Sequence, residues 1–222
     1  MEGVTATLSR RRPRMLDFAL SAFVTLLLVV DPVGLVPAFL AATAGMSEKD
    51  RRAIVWRAPL IAASILVVIA LIGNWLLRQL GIGIPAFQIA GGLLLFGVSY
   101  RMIFGDRPRR EAREADKALS EHASDVAVFP LAIPMMAGPG AIATTLLLSG
   151  DAGNAGRLAI NIAIILLVCL LCMICFAAST LIARTLGRTG NAVLSRLLGI
   201  LLAAYSVQFV LNGIAAVRAS LS

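Results

Sequence analysis

Long apolar stretches alternate with short polar segments along the whole chain. Four stretches carry no charged side chain, at residues 82–100, 126–150, 158–183 and 197–217. A fifth, at 53–77, has a charge only near its start, and a sixth, at 15–44, is interrupted in its middle by Asp31 and Pro32. A helix needs about 20 apolar residues to cross the hydrocarbon core of a bilayer. The pattern therefore predicts six transmembrane helices.

The composition is that of a membrane protein. Of the 222 residues, 59% are hydrophobic and 14% are charged, whereas soluble domains have about 25% charged residues. The segments between the apolar stretches are short, apart from residues 104–125, and leave no room for a second domain. We predict an all-α polytopic membrane protein that forms a single membrane domain over residues 1–222, surrounded by the lipid bilayer.

Membrane topology explains the net charge of +8 better than nucleic-acid binding does, because Lys and Arg concentrate in cytoplasmic loops. With six spans, seven Lys and Arg residues fall on the side of the N-terminus and thirteen on the other. We expect the side with thirteen to be cytoplasmic, which places both termini in the periplasm of a bacterial inner membrane. Four arginines in the N-terminal tail favour the opposite orientation. Segment 104–125 is predicted to be a charged cytoplasmic loop, with a binding patch as the alternative.

The two halves of the chain match at a constant offset of 107 residues. Pro32 corresponds to Pro139, and GLLLFGVS at 92–99 corresponds to GILLAAYS at 199–206, with four of eight positions identical. The offset predicts two three-helix repeats, at about 15–105 and 126–217. Three spans per repeat would place the second copy upside down in the membrane. This inverted repeat is the plan of many secondary transporters, whose solute site lies at the interface of the repeats.

The first helix of each repeat is predicted to be broken near the middle of the membrane. Proline disrupts a helix interior but suits the first position of a new helix, with Asp or Gly before it as the N-cap. The pairs Asp31-Pro32 and Gly138-Pro139 therefore predict second half-helices that begin near Val33 and Gly140. Such helix starts expose unpaired N–H groups that attract anions. The alternative is a pair of ordinary proline kinks.

Asp31 is the only acidic residue well inside a predicted span, and an intramembrane carboxylate suggests function. It could bind an ammonium group, carry a coupling proton or hold a cation; alternatively, it only caps the half-helix that follows. No cofactor is predicted beyond a coupling ion, either H⁺ or Na⁺. The residues that we predict to contact a solute are Asp31, Pro32, Gly34, Gly138, Pro139, Gly140, Thr144 and Gln88.

Catalytic and metal-binding motifs are not found in the sequence. Three cysteines at 169, 172 and 175 lie in an apolar stretch without nearby His or carboxylate groups, so we interpret them as packing residues. The chain has no phosphate-binding loop, zinc-protease motif or nucleophile elbow. We therefore do not expect an enzyme.

Three segments resemble the MarC family of bacterial inner-membrane proteins. These are DPVGLVPAFLAATAGMSEKDRRAI at 31–54, FQIAGGLLLFGVSYRMI at 87–103 and PLAIPMMAGPGAIATTLLL at 130–148. Members often begin the first motif with Asn, where this chain has Asp31. The resemblance implies a six-helix inner-membrane protein related to the amino-acid exporters of the LysE group. It also implies similarity to the SnatA members, which carry small neutral amino acids such as glycine and alanine.

Together these observations suggest a secondary transporter or exporter of a small neutral amino acid that binds between the two breaks. Its carboxylate would face N–H groups near Gly34 and Gly140, and its ammonium group would face Asp31 or freed carbonyls. The alternatives are a structural or regulatory membrane protein without a solute, and an intramembrane enzyme acting on a lipid-linked substrate. The exact solute, the direction of transport and the oligomeric state, including a homo-oligomer, stay open.

Overall fold

The computed structural model describes residues 15–104, 126–150 and 155–221, and this part of the chain contains helices joined by short turns and no strand. The N-terminal arginines and the charged loop after Phe104 lie outside the described residues. The helices, in chain order, are α1 (Met15–Val30), α2 (Val36–Ala42), α3 (Glu48–Gln79), α4 (Ile84–Phe104), α5 (Ala127–Met136), α6 (Pro139–Gly150), α7 (Ala155–Ala177) and α8 (Ser179–Leu221).

Local sequence explains several of these boundaries. Ser47 caps α3 by accepting a hydrogen bond from the Asp50 N–H at 3.2 Å. Gly81, at φ +66°, ends the same helix in the left-handed conformation that suits glycine. The apolar stretch 158–183 was predicted as one span, and in the structure the helical path continues past residue 183. Backbone hydrogen bonds join the end of α7 to the start of α8, and the chain turns only at Gly187, where φ is +61° and ψ is −175°.

Four of the described helices are long and apolar enough to cross a membrane: α3, α4, α7 and the Ala192–Ala219 part of α8. Helices α5 and α6 pass the same test only when taken together, as one span bent by 56°. Helix α1 is apolar but has 16 residues. The structure therefore shows an all-α protein with several membrane spans, and the count of six stays a prediction.

Side-chain contacts group the helix ends at two surfaces. At the first, which we call the Arg51 side, Arg51 near the start of α3 donates to Ser179 Oγ at the start of α8, at 2.8 Å. At the second, the Arg157 side, the guanidinium of Arg157 near the start of α7 lies 5.3 Å from the ring centre of Phe18 in α1. Asn74 donates to the carbonyl of Ser149 at 2.7 Å, which joins the ends of α3 and α6.

Helices α4 and α8 pack closely through glycines, and the contacts repeat at the 107-residue offset. A Cβ atom at Gly92 would lie 2.7 Å from Val210 Cγ2, and one at Gly199 would lie 3.1 Å from Ile103 Cγ1. Gly199 and Val210 are the offset counterparts of Gly92 and Ile103. The two contacts are therefore reciprocal, as in an antiparallel pair related by a local two-fold axis. The arrangement of the complete repeats stays a prediction.

The outward faces of the long helices are apolar, as a lipid environment requires. On α3, Trp56 and Trp75 are 59% and 61% exposed. They are 19 residues apart, which corresponds to about 28 Å of helix. This distance matches a hydrocarbon core of about 30 Å, and tryptophan is enriched at both membrane–water interfaces. The spacing of the two side chains is the one expected for residues at the two interfaces of a bilayer.

Candidate functional site

The first break lies between α1 and α2, where Asp31 adopts a left-handed backbone conformation with φ +52°. Its Oδ1 accepts a hydrogen bond from the Gly34 N–H at 3.0 Å, and its carbonyl accepts one from the Leu35 N–H at 3.1 Å. These bonds close a turn over residues 32–35. Helix α2 consequently begins at Val36, three residues after the predicted start at Val33.

Asp31 and Gly34 fit together at this turn. The Asp31 side chain is buried, with 3% exposure. A Cβ atom at Gly34 would lie 2.6 Å from Asp31 Cγ and would collide with Oδ2. Only glycine therefore leaves room for the carboxylate above the turn. Asp31 thus bonds to the turn that precedes α2, whereas the N-cap position of α2 itself is Leu35, which makes no side-chain capping bond.

The second break lies between α5 and α6 and is built from repeated prolines. Helix α5 has wide turns, and Phe129 and Ile133 within it are extended, because a residue that precedes proline is pushed out of the helical region. Gly138 passes so close to the Pro134 carbonyl oxygen that a Cβ atom there would collide with it. The chain then starts again as α6 at Pro139, within one residue of the predicted Gly140.

The two breaks meet in the interior of the molecule. A Cβ atom at Gly140 would lie 3.2 Å from Val29 Cγ1 of α1 and 3.3 Å from Val98 Cγ2 of α4. Val29 is two residues before Asp31. The start of α6 is therefore packed against the end of α1. Helix α6 has 12 residues, or about 18 Å, and ends beside Asn74 near the Arg157 side. Its start consequently lies near mid-membrane.

Threonine hydroxyl groups lie along α6 beyond the break. Thr144 and Thr145 are fully buried, and their hydroxyl oxygens have no hydrogen-bond partner among the described residues. Thr144 follows Gly140 by one helical turn, so it lies on the same side of α6 as the contact with α1. Buried hydroxyl groups without partners are costly unless a ligand or water completes them.

Asn161 of α7 binds the other end of α6. Its Nδ2 donates to Ser149 Oγ at 2.9 Å and lies 3.4 Å from the Thr145 carbonyl oxygen. Together with Asn74 of α3, it binds the C-terminal turn of α6. Helix α6 is therefore held by polar contacts at its C-terminal end and by close apolar packing at its start.

One predicted contact residue, Gln88, lies apart from this meeting point, and another, Pro139, has an exposed side chain. Gln88 is half-buried on α4 and precedes Leu95, which packs near Gly140, by two helical turns or about 10 Å. The Pro139 ring is exposed, whereas its neighbours Gly138 and Gly140 are buried. The structure thus brings together the first break, Gly138, Gly140 and Thr144, and leaves Gln88 further along the bundle.

The three cysteines of α7 are free thiols. Cys169 and Cys172 are buried and Cys175 is half-buried. Within residues 15–104, 126–150 and 155–221, no three His, Cys, Asp or Glu side chains are grouped so that they could hold a metal ion.

An aromatic and cationic cluster near the Arg51 side was not predicted from the sequence. The rings of Phe39 in α2 and Phe176 in α7 stack with centres 4.6 Å apart. The Arg51 guanidinium lies 5.7 Å from the Phe39 ring centre and also donates to Ser179 and Thr180. The cluster fixes the short helix α2 to α3, α7 and α8. A signal in the sequence was the aromatic residue inside the otherwise small-residue motif PAFLAA.

Comparison with known proteins gives the family. A family model described as MarC family integral membrane protein matches residues 16–217. The chain belongs to the MarC family. The MarC chain is 32% identical over 200 residues to a UPF0056 membrane protein of Methanocaldococcus jannaschii, which covers 90% of this chain and 97% of the relative. It is 36% identical over 196 residues to a relative in Aquifex aeolicus, covering 87% and 90% of the two chains.

A third relative of the MarC chain is the UPF0056 membrane protein YvbG of Bacillus subtilis. The two are 32% identical over 201 residues, which is 90% of this chain and 95% of the relative. These proteins are described as membrane proteins, in agreement with the apolar helices of the MarC fold. No solved structure significantly matches the MarC chain.

Proposed function

We propose that this protein is a membrane carrier, and not an enzyme, for small neutral amino acids such as glycine or alanine. The observation that carries the proposal is the contact between the two helix breaks, where Gly140 would place a Cβ atom 3.2 Å from Val29 Cγ1. Broken helices at membrane depth occur where they are buried in protein or line a cavity. In secondary transporters such breaks hold the solute and the coupling ion.

The start of α6 is the proposed partner for the solute's carboxylate. The first N–H groups of a helix have no partner within the helix, and they carry the positive end of the helix dipole. At α6 these are the N–H groups of Gly140 and Ala141, since Pro139 has none. The Gly34 N–H at the other break is already bonded to Asp31. A solute could use that N–H only after displacing the Asp31 carboxylate.

Asp31 combines two roles in the proposal. One oxygen caps the turn before α2, and the carboxylate as a whole supplies the negative charge that an ammonium group or a coupling cation, H⁺ or Na⁺, would meet. The buried position, at 3% exposure, strengthens such an electrostatic interaction. The charge and the capping function can be separated, because Asn caps a helix as well as Asp does.

The tight packing at the meeting point favours a small solute. Methyl groups of Val29 and Val98 lie within 3.3 Å of the position that a Cβ atom of Gly140 would take. Rocking of one half against the other would open this contact alternately toward the two sides. Helix α6 would turn about its C-terminal end, where Asn74 and Asn161 bind it.

Solute counterflow in proteoliposomes tests the proposal without requiring the direction of transport. We expect exchange of labelled glycine or alanine by the natural protein and its loss in Gly140→Leu, which separates α6 from α1. The matched control is Gly97→Leu, because a side chain at Gly97 meets nothing within 4 Å. We expect Asp31→Asn to retain the fold with altered exchange. Normal exchange by both Asp31→Ala and Gly140→Leu would contradict this site.

The proposed orientation places the Arg51 side in the cytoplasm of a bacterial inner membrane, because most Lys and Arg residues fall there. Both termini would then be periplasmic. Alkaline phosphatase, which is active only in the periplasm, should be active when fused after Leu221. An inactive fusion, together with fluorescence from a green fluorescent protein at the same position, would reverse the orientation.

A further inference from the structure

Polar side chains recur along one side of α1 and along one side of α8. On α1 they are Asp17, Ser21 and Thr25, spaced by four residues. Positions four apart lie on one side of a helix. On α8 the corresponding set is Tyr205, Gln208 and Asn212, spaced by three and four residues. A hydrogen bond between Ser21 Oγ and the Tyr205 hydroxyl joins the two sets. We call these six residues the polar stripe.

Exposure along the polar stripe falls from the Arg157 side toward the helix breaks. Asp17 and Ser21 are exposed, and Thr25 is fully buried, with its hydroxyl donating to the Ser21 carbonyl at 2.7 Å. One turn further along α1 is Val29, which packs beside Gly140. On α1 the stripe therefore runs from the surface to Thr25, one turn before the meeting point of the two breaks.

The two amides of α8 lie within the helix segment that is long and apolar enough to cross a membrane. Gln208 and Asn212 are exposed within the Ala192–Ala219 span and are joined by a 2.8 Å hydrogen bond. Gln208 is 11 residues from the end of that span, or about 16 Å. Each carboxamide has more donors and acceptors than this bond uses. Contact with lipid would leave them unsatisfied, whereas contact with water or a polar solute would not.

We propose that the polar stripe is the hydrophilic route by which the solute passes between the Arg157 side and the helix breaks. This proposal rests on the proposed carrier function, and it adds the path that the solute takes through the protein. The hydrogen bond between Ser21 and Tyr205 closes the inner end of the route. Ser21 is still exposed there, whereas Thr25, one turn further along α1, is buried. Charged groups of both signs lie at the outer end of the route: the Asp17 carboxylate and the Arg157 guanidinium, which is 5.3 Å from the Phe18 ring centre. A small zwitterion fits this chemistry, and a second copy of the chain at Gln208 is the competing occupant.

Thiol accessibility tests the route independently of transport. In a variant whose cysteines at 169, 172 and 175 are replaced by alanine, Gln208→Cys is compared with Val207→Cys. These positions have the same depth on α8 and are both exposed, but only Gln208 belongs to the stripe. We expect a charged, membrane-impermeant methanethiosulfonate reagent, added from the Arg157 side, to label Gln208→Cys many-fold faster than Val207→Cys. Asn212→Cys and Leu211→Cys form a second matched pair.

The closure is tested with Thr25→Cys, which should label slowly while Tyr205 is present. Replacing Tyr205 with Phe removes the bond to Ser21 but keeps the ring, and should speed the labelling of Thr25→Cys several-fold. Equal labelling of Gln208→Cys and Val207→Cys would overturn the route. Oxidative cross-linking of Gln208→Cys into dimers would overturn it in favour of a second copy. Fast labelling of the stripe without exchange of glycine or alanine would support the route and refute the proposed solute.

Discussion

At the scale of single residues, Asp31 and Gly34 depend on each other. The carboxylate caps the turn before α2 through the Gly34 N–H, and the absence of a side chain at Gly34 makes room for the carboxylate. From the Asp-Pro pair the sequence predicted Asp31 as the N-cap of a half-helix that begins near Val33, whereas in the structure Leu35 is the N-cap of α2. The sequence did not predict the length of the turn, because the left-handed backbone at Asp31 delays α2 to Val36.

Gly34→Ala should destabilise the protein by displacing Asp31 from its cap, at a cost of about 1 kcal/mol. The measurement is thermal unfolding of the purified protein in detergent. Gly97→Ala is the matched control, because its added methyl group meets nothing within 4 Å and alanine favours a helix over glycine by about 0.5–1 kcal/mol.

A double-mutant cycle identifies the cause of that loss. In an Asp31→Ala protein no carboxylate remains to be displaced, so Gly34→Ala should cost much less than in the natural protein. An equal cost in both backgrounds would show that the Gly34 position matters for another reason.

At the scale of helices, the sequence predicts where the two helix breaks lie but not which other helices pack against them. Proline and glycine act locally, so Asp31-Pro32 and Gly138-Pro139 mark the breaks in sequence as well as in structure. Contacts between helices depend on positions far apart in the chain. Ser21 and Tyr205, for example, are 184 residues apart. Polar residues at a spacing of four define one side of a helix, but no pattern along one helix shows which residues face that side.

Arg51 joins α3 to α2 and α8, and its removal should loosen that junction. Arg51→Gln loses hydrogen bonds to Ser179 and Thr180 and the position over the Phe39 ring. We expect a loss of about 1–2 kcal/mol in unfolding free energy. Arg52→Gln is the control, because Arg52 is exposed and surface changes usually stay within about 0.5 kcal/mol. Similar melting temperatures for the two variants would show that the junction does not depend on Arg51.

At the scale of the whole molecule, the pairing of α4 with α8 bears on the predicted repeats. Ser99 donates to the carbonyl of Phe96 at 2.7 Å, and its offset counterpart Ser206 donates to that of Ala203 at the same distance. The glycine contacts of these helices are reciprocal as well. The repeat in sequence therefore corresponds to a repeat in local packing. Membrane helices can be predicted from apolar segments alone. The orientation of one whole repeat relative to the other cannot, because it depends on all the contacts between them together.

If a local two-fold axis relates α4 and α8, then Gly92→Leu and Gly199→Leu should weaken the pair by similar amounts. Each change inserts a side chain where a Cβ atom already lies within 2.8 Å of the opposite helix, and overpacking costs about 1–3 kcal/mol. Melting temperatures of the two variants and of Gly97→Leu give the comparison. A large loss in only one of the first two variants would show that the pairing is asymmetric.

The shortness of α2 makes its order conditional. With seven residues, it is well below the roughly 12–15 that an isolated helix needs in water. Its helical conformation therefore depends on its surroundings. These are the Asp31 turn before it, the Phe176 ring stacked on Phe39, and the Arg51 guanidinium near the Phe39 ring. A rearrangement that withdraws any of these supports frees α2 to unwind while the long helices persist. Amide hydrogen exchange in α2 would then report the internal motion of the molecule without a bound probe.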